Sequence, residues 1–460
     1  MPETPPHSFR TFFIIWLTQS ISALGSSLTF FALTIWMTIT LYPLPEQKAE
    51  LAFALSAIGL AFGVPVVFAA PVAGAWADRH DRKRTMLVVD FLSGGLSLAL
   101  AALVLSGTLQ IWPVLVITAL FAVLGAFHMA AFDTSYVMLV PPKHLPRANG
   151  MMQTTWSLAS IVAPAIAAAI IAVPSLARQG VLPLPTMAAL PDGTALVMLI
   201  DAATFFMAGI VLPFLNVPSP QRADLGERHE ARPSLWSDVA LGWRYIWQRR
   251  PLLWLLGTFT MVNLLFAPAG VLTPLLLKFN LAPSWMALGL SYEASLALIN
   301  SAGGIGGFVG GLIISTWGGL KTRRIYGVLV PIVISAVGTI VFGLTSVLYV
   351  AAAMIVVRSM MTPMMNSHSQ SIWQTQTPPE LQGRVFAVRR LIAQFTWPLG
   401  TALAGFIGGA FDISVVIALS GAIVLVFTVA QFFNPALLRV EDKEWLDGMA
   451  AGSVANTSSG

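Results

Sequence analysis

Twelve stretches of this chain are apolar for long enough to cross a lipid bilayer, which leaves few folds open. They run approximately over 9–40, 51–77, 85–105, 112–140, 151–173 and 194–215, then 252–277, 286–317, 325–344, 347–373, 385–410 and 413–433. Backbone N–H and C=O groups find no water inside hydrocarbon, so only helices and closed barrels span it. A barrel strand needs about 10 residues and a helix about 20, and these stretches have helical length. Only 10% of the residues are charged, against about 25% in soluble domains. A water-facing surface for 460 residues cannot be built from so few charges. The fold class that follows is an all-α membrane protein with twelve transmembrane helices.

The lysines and arginines set its orientation. With the N-terminus inside, 21 of the 25 fall on the cytoplasmic side, and Lys48, Arg178 and Lys278 fall outside. Arg358 lies within a span. The positive-inside rule therefore places both termini in the cytoplasm. A bacterial cytoplasmic (inner) membrane is the expected location. The basic balance comes from this asymmetry, so no nucleic-acid partner is expected. The N-terminal MPETPPHSFR lacks a cleavable signal pattern, and the first helix is read as retained.

The chain divides into a tail (1–8), a first bundle (9–215), a polar linker (216–250), a second bundle (251–436) and a tail (437–460) read as disordered. In the linker, Leu235, Val239, Trp243, Ile246 and Trp247 recur at helical spacing, which suits a helix on the inner membrane surface or a solvated one. The halves echo each other. Pro141 and Arg147 open the fifth helix six residues apart, as Pro378 and Arg384 open the eleventh. Gly311 and Ser315, followed by Lys321, Arg323 and Arg324, echo Gly74 and Asp78 with their cations. Cysteine is absent, which excludes disulfides and thiolate metal sites. No phosphate loop with its lysine, zinc-spaced histidines or Ser-His-Asp pattern occurs. The chain is read as a non-enzyme without cofactor or metal, and gradients must supply its energy.

Residues 74–84, GAWADRHDRKR, form a dense charged turn between the second and third apolar stretches. The run resembles the helix 2–3 loop of the major facilitator superfamily of secondary transporters. LVPPKHLPRANG, DVALGWRYIWQRRPLL, QTPPELQGRVFAV and PLGTALAGFIGG resemble segments of its drug:proton antiporter branch, which contains macrolide and siderophore exporters. The resemblance implies two pseudo-symmetric six-helix bundles around a mid-membrane cavity, alternating access, and a gate made of Gly74, Asp78, Arg79 and Arg82. In that gate Asp78 would face the start of the eleventh helix near 383–385. The implied function is export of small amphipathic molecules, with small-molecule substrate, protons and the lipid bilayer as partners and a monomer as the expected form. Movement of lipid or lysolipid by the same fold, and a non-transporting membrane sensor or scaffold, are the alternatives.

Ionisable groups inside the membrane normally face a cavity or a partner. Glu293, Arg358 and Asp133 are the candidates for proton coupling. Glu293 can pair with Arg358 or stand as a rim carboxylate; Asp133 can carry a proton or, preferably, pair with gate cations. Met354, Arg358, Met361, Met365 and His368 recur at steps of four and three, so they share a helical face. Soft methionines around one cation suit a pocket, or ordinary packing. Gln19, Ser22, Ser26, His128, Asn263, Asn300 and Gln394 complete the candidate cavity. His128 can titrate near neutral pH, or sit neutral and hydrogen-bonded. Asp90 and Asp201 are read as structural. Gly303, Gly307 and Gly311 recur every four residues, as do Gly59 with Gly63 and Gly405 with Gly409, which predicts close helix contacts.

Overall fold

A computed structural model describes residues 8–141, 144–217, 235–442 and Trp445. Most of both tails, Pro142, Lys143 and residues 218–234 of the linker lie outside these residues. Twelve of the described helices are long and apolar enough to cross a membrane. The first six are Phe9–Leu41, Pro45–Ala77, Arg82–Leu105, Ile111–Tyr136, Arg147–Arg178 and Thr194–Phe214. The second six are Arg250–Val271, Tyr292–Trp317, Arg324–Leu344, Leu348–Gln376, Leu381–Ala410 and Ile413–Gln431. They are numbered here as spans one to twelve. The chain is a multi-pass membrane protein.

Two spans are cut short of the apolar pattern by six residues, each for a local reason. The seventh span ends at Val271 and a separate turn of helix, Thr273–Phe279, follows. Pro274 has no N–H to continue the ladder. The eighth span begins at Tyr292 rather than Met286, because Gly289 takes a left-handed φ of +67° and Ser291 Oγ accepts from Ala294 N at 3.2 Å. That hydroxyl satisfies one of the donors that every helix start leaves open. Asp81 and Asp412 cap the third and twelfth spans in the same way, accepting from Arg84 N (3.0 Å) and Val415 N (3.2 Å).

The chain forms two compact units. One holds the first six spans together with Gly289–Ser301. The other holds the helix Leu235–Gln248, the seventh span and the chain from Ala302 onward. The N-terminal part of the eighth span thus belongs to the first unit, where Ser301 Oγ donates to Ile161 O at 2.6 Å. Packing within the units repeats: the third span lies on the sixth and the ninth on the twelfth, the first on the fifth and the seventh on the eleventh. In the first unit Phe12, Ile15, Met86, Phe132 and Leu139 form an apolar cluster. In the second, Ile246, Leu252, Leu255, Val328, Ile332 and Trp373 do so.

Glycine positions set how closely the spans approach. A methyl group at Gly306 or Gly310 would meet the backbone carbonyl of Val356 or Met360 in the tenth span. Gly307 and Gly311 face open space, and a methyl at Gly303 would meet only the side chains of Ile355 and Ser359. The close contact therefore follows the 306–310 edge, one residue away from the Gly303, Gly307 and Gly311 series picked out by spacing. Several glycines satisfy an i, i+4 repeat in this helix, and the repeat alone does not say which edge meets a neighbour.

Candidate functional site

The charged turn is built from helix-end chemistry. The second span ends at Ala77, and Asp78 N donates to Gly74 O at 3.2 Å. Asp78, Arg79 and His80 are exposed, and the His80 ring stacks on Trp76 with centroids 3.6 Å apart. Arg82 is buried. Its Nε donates to Ala77 O (3.2 Å), and its Nη1 to Thr134 O (3.4 Å) and Met138 Sδ. Lys83 Nζ donates to Pro213 O at 2.8 Å, in the last turn of the sixth span. Both cations thus sit at the C-terminal ends of helices, where partial negative charge favours them. Asp133 is exposed and makes no ion pair with Arg82, so the expected pairing with gate cations is not formed there: the guanidinium is taken up by carbonyls instead.

Gly74 is helical, and nothing lies within 4 Å of where a side chain would project. Gly74→Ala is therefore expected to leave the thermal unfolding midpoint of the purified protein unchanged or slightly raised, since alanine is favoured over glycine in a helix by up to about 1 kcal/mol. A fall in transport by this stable variant would show that Gly74 meets a neighbour in another state of the cycle.

A cavity of about 350 Å³ lies within the first unit. Trp16, Phe30, Phe62, Phe121, Phe132, Trp156 and Phe205 line it, and so do Gln19, Ser22, Ser26 and His128 from the sequence candidates. Phe30 and Phe62 meet edge-on with centroids 5.3 Å apart. Gln19, Ser22 and Ser26 fall on this side of the first span because steps of three and four stay on one helical face.

Two carboxylates stand in the cavity wall, both fully buried. Asp201 of the sixth span accepts from Thr29 Oγ1 (2.9 Å), Ser97 Oγ (2.8 Å) and Ser26 Oγ (3.4 Å). These donors come from the first and third spans, so the carboxylate ties three helices together. Asp90 of the third span is held differently. Gln19 Nε2 donates to its Oδ2 at 3.1 Å, and its Oδ1 lies 3.4 Å from His128 Nε2. Sequence reasoning treated these two side chains separately. The signal that joins them is positional: Asp90 is eight residues from the start of its helix at Arg82 and His128 eleven from the end of the fourth at Leu139, about 12 and 16 Å along the two helices.

The second unit divides the remaining candidates. Asn263 lines a crevice of about 250 Å³ with Thr260, Asn366, Trp373 and Arg389. Arg389 Nη1 donates to Gln370 Oε1 at 2.6 Å, and its guanidinium lies 5.5 Å from the Trp373 ring. Met361 and Met365 are buried, and Met365 belongs to the apolar core with Ile325, Val328 and Ile332. His368 is buried too: its Nε2 accepts from Leu320 N (2.9 Å) and its Nδ1 faces Met364 O (2.8 Å), so it braces the turn before the ninth span. The methionine face is packing. Arg358 lies on that face with its guanidinium 5.9 Å from the Phe342 ring, and its buried Nη1 has no hydrogen-bond partner. It lines neither cavity. Glu293 is half-buried in the first turn of the eighth span, and Asn300 is exposed. The side chain of Gln394 lies outside the described residues.

The family model of the Major Facilitator Superfamily matches residues 15–401. Macrolide efflux protein A of Streptococcus pyogenes is 23% identical over 419 residues, covering 90% of this chain and 93% of that protein. Multidrug efflux pump Tap of Mycobacterium bovis is 26% identical over 405 residues, covering 85% and 86%. Among solved structures, a bacterial homologue of the human lysosomal transporter Spinster, inward-facing and unoccupied, aligns with a TM-score of 0.62 at 14% identity, covering 97% of this chain and 99% of that one. The nucleoside transporter NupG aligns with a TM-score of 0.64 at 13% identity, covering 91% and 98%. Twelve membrane-length helices, packing that repeats between two units and a family match over most of the length converge on one statement: the chain is a transporter that belongs to the Major Facilitator Superfamily.

Proposed function

We propose that the chain exports small amphipathic molecules, drug- or siderophore-like, from the bacterial cytoplasm by alternating access, driven by protons moving inward. The observation that carries this reading is the first-unit cavity: about 350 Å³, walled by aromatic rings, with a short polar strip and buried carboxylates. Pockets of about 300–1,000 Å³ that are mostly apolar with a few fixed polar groups suit drug-sized ligands. The macrolide and multidrug efflux relatives support the same direction of transport. Each proton moving down about 100 mV of membrane potential releases about 2.3 kcal/mol. In the cycle, the turn of Gly74, Asp78, Arg79 and Arg82 latches the cytoplasmic side. The bundle is retained in the inner membrane with both termini in the cytoplasm.

Everted membrane vesicles test the reading. Radiolabelled erythromycin and ethidium are expected to accumulate in vesicles containing the protein when their interior is acidified. A protonophore is expected to abolish that accumulation. Equal uptake by vesicles with and without the protein, for both probes, would sink the proposal. Uptake of a fluorescent lysolipid in their place would favour the lipid-transport alternative.

A further inference from the structure

We propose that Asp90 and His128, positioned by Gln19, form the site that carries the coupled proton. This assignment rests on the proton-driven export proposed above and gives it an atomic location.

The argument begins with an unfilled position. Asp90 Oδ2 has its donor in Gln19, but Asp90 Oδ1 and His128 Nε2 are both buried and neither has a hydrogen-bond partner. They face each other at 3.4 Å, close enough for contact and too poorly aligned for a bond. With the neutral ring's proton on Nδ1, a carboxylate oxygen opposes the Nε2 lone pair and two buried acceptors are left unsatisfied; with that proton on Nε2, the ring donates to the carboxylate and Nδ1 is the open position. One proton on Nε2 or Oδ1 turns the same pair into a charge-assisted hydrogen bond. In either tautomer an ionised carboxylate facing a neutral ring has room for one further proton. Asp201 is the internal contrast. It lies in the same cavity wall, equally buried, but three hydroxyls already satisfy it, so it offers no such vacancy.

The surroundings favour the same assignment. No lysine or arginine lines the cavity. The second and fifth spans contribute Phe62, Met152, Thr155 and Trp156, none of them charged. The sixth span contributes Asp201, and the fourth carries Asp133 five residues beyond His128 toward its cytoplasmic end. Every charge facing the pair, apart from the pair itself, is acidic. A positive charge is the species such a cavity lacks, and the proton supplies it. In each cycle a proton from the external water adds to the pair, and the same proton later leaves to the cytoplasm; only N–H and O–H bonds are made and broken.

Purified protein in liposomes tests this, with wild type, Asp90→Asn and His128→Gln compared. Both variants are expected to lose accumulation of erythromycin and ethidium driven by a pH gradient, at least tenfold. Both are expected to give the wild-type size-exclusion profile and to unfold in a single thermal transition, so that a loss of accumulation is not a loss of fold. A second readout does not depend on transport. The wild type is expected to show a pH-dependent infrared change, in a carboxyl band when the proton is on Oδ1 or in an imidazole ring band when it is on Nε2, and that titrating band is expected to be missing in Asp90→Asn and His128→Gln. Gradient-driven accumulation in Asp90→Asn at the wild-type level, or an unchanged titrating band, would overturn the assignment. If Asp90→Asn fails to fold, His128→Gln decides alone: retained gradient-driven accumulation refutes the site. Wild-type protein that moves neither probe refutes the export reading instead, and the infrared band then still decides whether the pair takes up a proton.

Discussion

Gly310→Val is expected to abolish recovery of folded, monodisperse protein, while Gly311→Val, one residue away, yields protein that unfolds at the wild-type temperature. A side chain at Gly310 meets the carbonyl of Met360, and a neighbouring helix backbone cannot swing aside as a flexible side chain can. The eighth and tenth spans would have to separate along the contact. Ordinary overpacking costs about 1–3 kcal/mol by shifting side chains, and moving a backbone costs more. At Gly311 nothing lies within 4 Å, so the added volume enters open space. Size-exclusion profiles and thermal unfolding of the two variants, side by side, make the comparison. Equal loss at both positions would mean that the contact is not along the 306–310 edge.

Asp201→Leu is expected to be the second severe change, lowering stability by about 3–5 kcal/mol. The leucine removes the acceptor shared by Ser26, Thr29 and Ser97, and a buried donor left without a partner costs about 1–3 kcal/mol. Ser26 also bonds Ser22 O at 3.3 Å and is the least affected. Asp201→Asn keeps one acceptor oxygen and is expected to lose less. Ser97→Ala made in the Asp201→Leu background is expected to cost little further, because the pair fails as a unit. Full additivity in unfolding measurements would show that the three hydroxyls do not depend on this carboxylate.

These expectations come from different levels of the molecule. The existence of the spans was legible because hydrocarbon imposes a single rule, that each segment satisfies its own backbone. Ends were less legible: the start of the eighth span was displaced by Gly289 and Ser291, which act through one φ angle and one hydroxyl. The methionine face of the tenth span illustrates a further step. Its periodicity correctly placed Met361, Met365 and His368 together, but periodicity does not say whether a face meets a cavity or another helix, and this face packs as core. His128 was picked out from the sequence as a possible titrating group. Its partner was not, because Asp90 lies 38 residues away on a different helix and looks like any buried structural acid.

Composition and hydrophobic length alone thus determined the solvent, the helix count, the expected direction of insertion and, through the turn at 74–84, the family. Those properties depend on local sums: apolar surface per segment, and charge on either side of a bilayer. Which glycine edge admits a neighbour, and which of two equally buried carboxylates is left with an open valence, was decided only by tertiary structure. Both depend on the rotation of each helix about its axis, which is set by packing among many side chains at once.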